Sequence, residues 1–226
     1  MAKPWQVLDR FETDDEGVLE LRKRDEGDFL ITVGSQILMN SRAQRSEMAL
    51  GRFGCRKLKN ELTPRVLIGG LGMAITLRAV LDELPMTAEV VVAELNPRIH
   101  QWCLGPLADL TDGATADPRV TVEIADVAEL VRRSAPGSFD AIIYDLYRGP
   151  HPKTDARNDP LYGSIAIRQC QAALKNGGVF SVWGENPDTG FEARLRSAGF
   201  AVRCERPGKG GYRHAVWVAE KLTAGN

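Results

Sequence analysis

No stretch of this chain reaches the roughly 18 uninterrupted apolar residues that a membrane-spanning helix needs, so no membrane segment is expected. Residues 1–10 lack an apolar signal core, and the chain reads as cytoplasmic. Cysteine is sparse. Cys55, Cys103, Cys170 and Cys204 lie far apart and form no C-x-x-C pair. Histidine is sparser still, with His100, His151 and His214 equally scattered. These spacings argue against a disulfide framework and against a zinc site, so no metal is expected and the thiols are read as buried or half-buried. A surplus of one charge is also missing. The formal net charge is −1, which gives no general reason to expect nucleic acid or an anionic membrane surface as partner. Internal repeats and low-complexity segments are absent.

What is present suits one α/β domain of ordinary size with a small appendage. The chain has 226 residues, and 43% of them are hydrophobic, enough for a sizeable core. Its organising stretch is Arg65-Val66-Leu67-Ile68-Gly69-Gly70-Leu71-Gly72-Met73-Ala74. A short apolar strand breaks into glycines and then runs into a helical pattern over residues 73–84. Strand, glycine turn, helix is how a doubly wound sheet offers backbone N–H groups to a nucleotide-like ligand.

Residues 1–41 read as a separate small β piece, with strands at 17–24, 29–33 and 36–39 joined by Gly/Asp/Ser turns in an antiparallel meander. A piece this small is marginal alone and is expected to pack on the main domain or on a second subunit. Residues 42–226 form the main domain. Within it, 42–60 is a basic helix with Met48, Phe53, Leu58 and Leu62 on its apolar side. From Pro64 the pattern alternates. Strands fit at 65–69, 89–94, 119–124, 139–145, 178–183, 200–205 and 213–219, and helices at 73–84, 97–109, 126–134, 163–175 and 189–198. This order predicts a mostly parallel sheet covered on both faces. Only a glycine-rich turn at 207–211 separates the last two strands, so they form a hairpin. Seven strands ending in an antiparallel hairpin is the Rossmann-like class I methyltransferase arrangement.

Four features fall at the carboxyl ends of successive strands, where open α/β sheets bind ligands. The glycine turn, Gly69, Gly70 and Gly72, is the first. Glu94, 22 residues after Gly72, can accept hydrogen bonds from both hydroxyls of a ribose. Asp126 can take an adenine amino group and also starts a capping box with Glu129. Asp145 ends the fourth strand, beside the reactive sulfonium of an S-adenosylmethionine-like donor. The long loop that follows is a candidate binding loop. Asp145, Tyr147, Arg148, His151, Asp159 and Tyr162 are its candidate substrate contacts, and Trp183 and Glu185 can floor the pocket.

Residues 17–220 resemble the spermidine synthase-like branch of the class I methyltransferase superfamily. The resemblance is carried by Gln36-Ile-Leu-Met-Asn-Ser-Arg42 leading to Ser46-Glu47-Met48, the glycine turn, Leu77-Arg78, Val-Ala-Glu94-Leu-Asn-Pro, Asp126, Phe-Asp-Ala-Ile-Ile-Tyr-Asp145, Gly-Pro150, Leu161-Tyr162 and 173–179. It implies the sheet described above, Asp145 as the catalytic group, Gln44 at the donor, Glu47 at the acceptor, Asn40 and Arg42 nearby, and a homodimer. Two departures stand out. The family's glycine run contains an aspartate that helps hold the amine end of decarboxylated S-adenosylmethionine, and here the turn has no acid. The family's loop after the fourth strand carries two acids for a diamine, and here Asp145 is followed by Leu146, Tyr147 and Arg148.

These departures set the leading expectation: an S-adenosylmethionine-dependent methyltransferase acting on a small-molecule acceptor. A polyamine aminopropyltransferase using decarboxylated S-adenosylmethionine is the alternative. A catalytically silent nucleoside-binding or assembly domain is the third reading.

Overall fold

The computed structural model describes residues 3–13, 17–208 and 214–223. The chain opens with β1 (Gln6–Thr13), β2 (Gly17–Asp25), β3 (Asp28–Val33) and β4 (Gln36–Asn40), which form an antiparallel sheet in that order. The meander therefore has four strands where the sequence reading gave three. The first strand was missed because nothing in it is buried. It is an edge strand paired to β2 and tied to the main domain through Asp9, which accepts from Trp102 Nε1 (2.8 Å), and its apolar residues are exposed, so no buried period marks it.

Helix α1 (Arg45–Cys55) leads into the main sheet. There follow β5 (Arg65–Gly69), α2 (Ile75–Glu83), β6 (Glu89–Glu94), α3 (Pro97–Leu104), β7 (Val120–Ile124), α4 (Val127–Arg133) and β8 (Phe139–Tyr144). The chain ends with α5 (Ser164–Ala173), β9 (Leu174–Gly184), α6 (Thr189–Ser197), β10 (Phe200–Glu205) and β11 (Ala215–Lys221). The seven strands of the main sheet run β10-β11-β9-β8-β5-β6-β7, parallel except for β11. This is the α/β architecture expected, terminal hairpin included. Residues 209–211 of the expected turn and residue 213 of the expected last strand lie outside the described residues.

Local chemistry sets the helix boundaries. Asn96 caps α3 by accepting from the Arg98 N–H (2.9 Å), with Pro97 in the first turn, and Gly105-Pro106 ends it earlier than the expected residue 109. Two 3-10 turns, Ala108–Thr111 and Ala114–Ala116, replace the rest. Asp126 caps α4 by accepting from Ala128 N (2.8 Å), but Glu129 turns to Arg132 instead of reaching back, so the capping box is half-formed.

Successive side chains of β5 point to opposite faces. Val66 and Ile68 enter one core cluster together with Leu77 and Val80 of α2, and Leu67 enters the other with Phe139, Ile142 and Phe180. Leu19, Leu21, Phe29, Ile31 and Val33 of the small sheet belong to the first cluster. The two sheets therefore share one continuous core. The strand order reverses between β5 and β8, and the carboxyl ends of β5, β6, β7 and β8 open there onto a common cleft.

Candidate functional site

A cavity of about 400 Å³ lies between those strand ends and the small sheet. Its floor is the turn after β5. Gly70 (φ 88°) and Gly72 (φ 51°) both hold left-handed backbone, and a Cβ on Gly70 would strike the Asp145 carbonyl. On Gly72 it would strike Met39 Sδ of β4. At Gly70 glycine is required by close approach to backbone as well as by φ; at Gly72 φ is the stronger reason, because the Met39 side chain can yield. The turn ends at Ala74, itself left-handed (φ 60°), so α2 starts without a side-chain cap.

Glu94 ends β6 and locks this turn. Its Oε2 accepts from Leu71 N (2.9 Å) and its Oε1 from Asn96 N (2.8 Å). The carboxylate lines the cavity, where it is placed to accept from a diol. Burial pushes the carboxyl up, and the surrounding backbone N–H groups hold it down. Cys103 supports the same turn through its thiol on the Gly72 carbonyl (3.2 Å), and burial pushes that thiol up to about 12. Asp126 stands at the β7 end, exposed, with Oδ1 used for its cap and Oδ2 without a partner among the described residues.

Asp145, just past β8, accepts a hydrogen bond from the Thr76 hydroxyl (2.6 Å), which also lies 3.2 Å from the Glu47 carbonyl. Burial first, and the Glu47 carboxylate second, push the Asp145 carboxyl up to about 7, while the Thr76 bond opposes them. Glu47 comes from the first turn of α1 and is held by the Ser46 hydroxyl (2.7 Å). That hydroxyl is also 3.0 Å from His214 Nδ1, and the His214 ring meets Trp183 edge-on at 4.8 Å.

The cavity lining thus unites Gly70, Gly72, Glu94, Asp126, Asp145, Tyr147, Arg148 and Glu47. Gly69, Gln44 and Tyr162 are not in it. The Gly69 carbonyl accepts from Asp145 N (2.9 Å), closing the β5–β8 corner. The Gln44 amide folds back onto the Ser41 carbonyl (2.6 Å). Tyr162 is buried, its hydroxyl donating to the Arg148 carbonyl (2.7 Å) and its ring edge-on to Phe191. His151 and Asp159 bond within their own loop. Trp183 lines the cavity and Glu185 does not. Leu19, Ile31 and Leu38 of the small sheet, and Thr76 and Ser46 behind the carboxylates, were missed. Nothing in their local sequence marks them, because tertiary packing alone brings them to the cleft.

The fold, with its cleft at the strand ends, is that of a class I methyltransferase-like domain of the spermidine synthase-like branch. The family model for the spermine/spermidine synthase domain matches residues 55–192, and the chain belongs to that family. Among curated proteins it is similar to a polyamine aminopropyltransferase of Synechococcus sp., 30% identical over 118 residues, which are 52% of this chain and 36% of that protein. A polyamine aminopropyltransferase of Thioalkalivibrio sulfidiphilus is 31% identical over 144 residues, 60% of this chain and 48% of that one. The chain thus spans about half the length, or less, of these relatives. Among solved structures, a spermidine synthase from Thermotoga maritima superposes with a TM-score of 0.75 at 22% identity, over 96% of this chain and 73% of that one. A spermidine synthase in complex with the transition state analogue AdoDATO gives a TM-score of 0.74 at 21% identity, over 96% and 72%. At such identities the likeness is one of fold.

The family match and the relatives' names overturn the leading expectation of a small-molecule methyltransferase using S-adenosylmethionine itself. That expectation weighs the acid missing from the glycine turn and the loop acids missing after Asp145. The turn's Met73 is indeed fully buried, but the cleft regains negative charge from a distant helix, because Glu47 joins Asp145 in the lining.

Proposed function

We propose that this chain transfers the aminopropyl group of decarboxylated S-adenosylmethionine to an amine. The observation that supports it most is the pair of carboxylates, Asp145 and Glu47, lining the same cavity as the Glu94-locked glycine turn. Amine ends are cationic near neutral pH, and two acids with no base between them favour such ends. In this reading Glu94 holds the ribose hydroxyls, Asp126 Oδ2 takes the adenine amino group, and Gly70 and Gly72 admit the donor close to the backbone.

The acceptor ammonium first loses a proton to Asp145, whose raised carboxyl suits a base working near neutrality. The freed nitrogen attacks the methylene carbon bound to the sulfonium. A C–N bond forms as the C–S bond breaks, its electron pair stays on sulfur, and methylthioadenosine leaves. The cleft contributes chiefly proximity and orientation. Incubation with decarboxylated S-adenosylmethionine and a panel of amines is expected to release methylthioadenosine in step with a new secondary amine. Folded chain that releases none with any amine, or that binds S-adenosylmethionine more tightly than the decarboxylated donor, would overturn the proposal.

The same reading makes the chain a homodimer. The β1 edge, with Val7, Leu8 and Phe11 exposed, is the surface that supports it. Light scattering at micromolar concentration is expected to give twice the 24.8 kDa chain mass, and a monomer there rules it out.

A further inference from the structure

Three residues beyond Asp145 the cavity lining changes sign. Glu94 and Asp126 sit at the ends of β6 and β7, on the nucleoside side. The charged groups left to face an acceptor are Asp145, Glu47 and Arg148. Among the described residues the Arg148 guanidinium has no carboxylate partner, and it lies over the Tyr147 ring, 5.6 Å to the centroid. Tyr147 is fixed in turn from the small sheet, its hydroxyl donating to Gln36 Oε1 (2.7 Å), so the surface against which Arg148 stacks is a built one.

The acids of the following loop do not offset this charge. Asp155 accepts from Arg157 N (2.9 Å), Asn158 N (3.0 Å) and Asn158 Nδ2 (3.2 Å). Asp159 accepts from Leu161 N (2.9 Å) and Tyr162 N (2.7 Å). Both are spent on loop geometry, and neither lines the cavity. An acceptor reaching from Asp145 towards Arg148 therefore meets carboxylates at one end and an unpaired guanidinium at the other. A diamine's far ammonium would be repelled there, whereas a carboxylate could take the guanidinium's paired N–H donors.

We infer that the acceptor is an amine with an anionic group at its far end, an amino carboxylate and not a diamine. This rests on the aminopropyl-transfer reading, since Asp145 and Glu47 serve the reacting nitrogen in both. Arg148 is then a specificity-determining residue. The chemistry is unchanged: the nitrogen displaces methylthioadenosine, and the carboxylate stays intact.

The test compares putrescine with 4-aminobutyrate, matched in length and opposite in charge at the far end, each with decarboxylated S-adenosylmethionine. The intact chain is expected to favour 4-aminobutyrate in kcat/KM by about tenfold, the scale of one partly screened charge contact. Arg148→Gln should level the two, and Arg148→Glu should invert them; Arg148 is exposed, so both variants should fold. Preference for putrescine by the unaltered chain, or the same preference order in Arg148→Glu, overturns the inference and leaves aminopropyl transfer standing. Release of no methylthioadenosine with any amine defeats both.

Discussion

At Asp145, burial and the Glu47 charge act against the Thr76 hydrogen bond, and the balance leaves the carboxyl at about 7. The native state thus holds a proton that the unfolded chain, with an ordinary aspartate carboxyl of about 3.9, has already lost. Stability should therefore fall as pH climbs from the unfolded value to about 7, and level off above it. Thermal unfolding across that window should show a shallower slope in Asp145→Asn, with a remainder due to Glu94, which is also raised; an unchanged slope contradicts the assignment. In turnover, kcat/KM should rise through pH 7 as Asp145 ionises. Glu47→Gln should move that limb down by removing a like charge, and Thr76→Val should move it up by removing the bond to the ionised form. The glycine turn makes a prediction of its own. Gly70 and Gly113 both have positive φ, but a Cβ on Gly113 meets nothing within 4 Å. Gly113→Ala should cost about 1–2 kcal/mol for the left-handed backbone alone. Gly70→Ala adds a clash with backbone, so denaturant unfolding should show a larger loss, together with loss of donor binding; equal losses would mean that the turn can move.

Helix α1 packs through its small residues. Its buried positions are Ser46, Leu50, Gly51, Gly54 and Cys55, whereas Leu62, assigned to the apolar side from sequence, is 85% exposed. Counting large apolar residues cannot detect a face made of glycines that lets two helices close up. The cost of filling it should differ between neighbours. A Cβ on Gly51 would lie 2.8 Å from the Thr76 carbonyl and 2.9 Å from Ala79 Cβ, neither of which can yield. On Gly54 it would lie 2.8 Å from Ile143 Cδ1, the flexible end of a side chain. Alanine gains about 1 kcal/mol of helix propensity over glycine, against about 1–3 kcal/mol for overpacking. Gly51→Ala should therefore be net destabilising and should disturb Asp145 through Thr76, while Gly54→Ala stays closer to neutral; the reverse order in denaturant midpoints would contradict the packing. Elements with strong signals were legible in the sequence. The β5 turn, β6 with its Asn-Pro corner and the terminal hairpin follow from apolar runs and capping chemistry. Strand β1 was not legible, because an exposed edge leaves no hydrophobic period, and the end of α3 was displaced by Gly105-Pro106.

Across the whole molecule, legibility of the site follows the source of each residue. Glu94, Asp126 and Asp145 could be named because strand ends of an open sheet converge by topology alone. The support behind them could not, since Ser46 and His214 meet across 168 residues of chain and Thr76 reaches Asp145 across 69. The small sheet is the largest such contribution. Its Leu19, Ile31, Leu38 and Met39 wall the cavity, and Gln36 anchors Tyr147. Leu19, Leu21, Phe29, Ile31 and Val33 are all at most 7% exposed, in one cluster with Val66, Ile68 and Leu77. Truncating a single buried side chain of this kind costs about 2–5 kcal/mol, and a whole domain is stable by only about 5–15 kcal/mol. Five such losses together exceed that margin. A chain shortened to begin at Ser41 should therefore show no cooperative thermal transition, although it keeps every strand of the main sheet. Phe29→Ala, in the full chain, should lower stability by about 3–5 kcal/mol and weaken donor binding along with it. If the shortened chain melts cooperatively at the full chain's temperature, the two sheets do not share a core in solution, and a cavity walled by both would have to be assembled some other way.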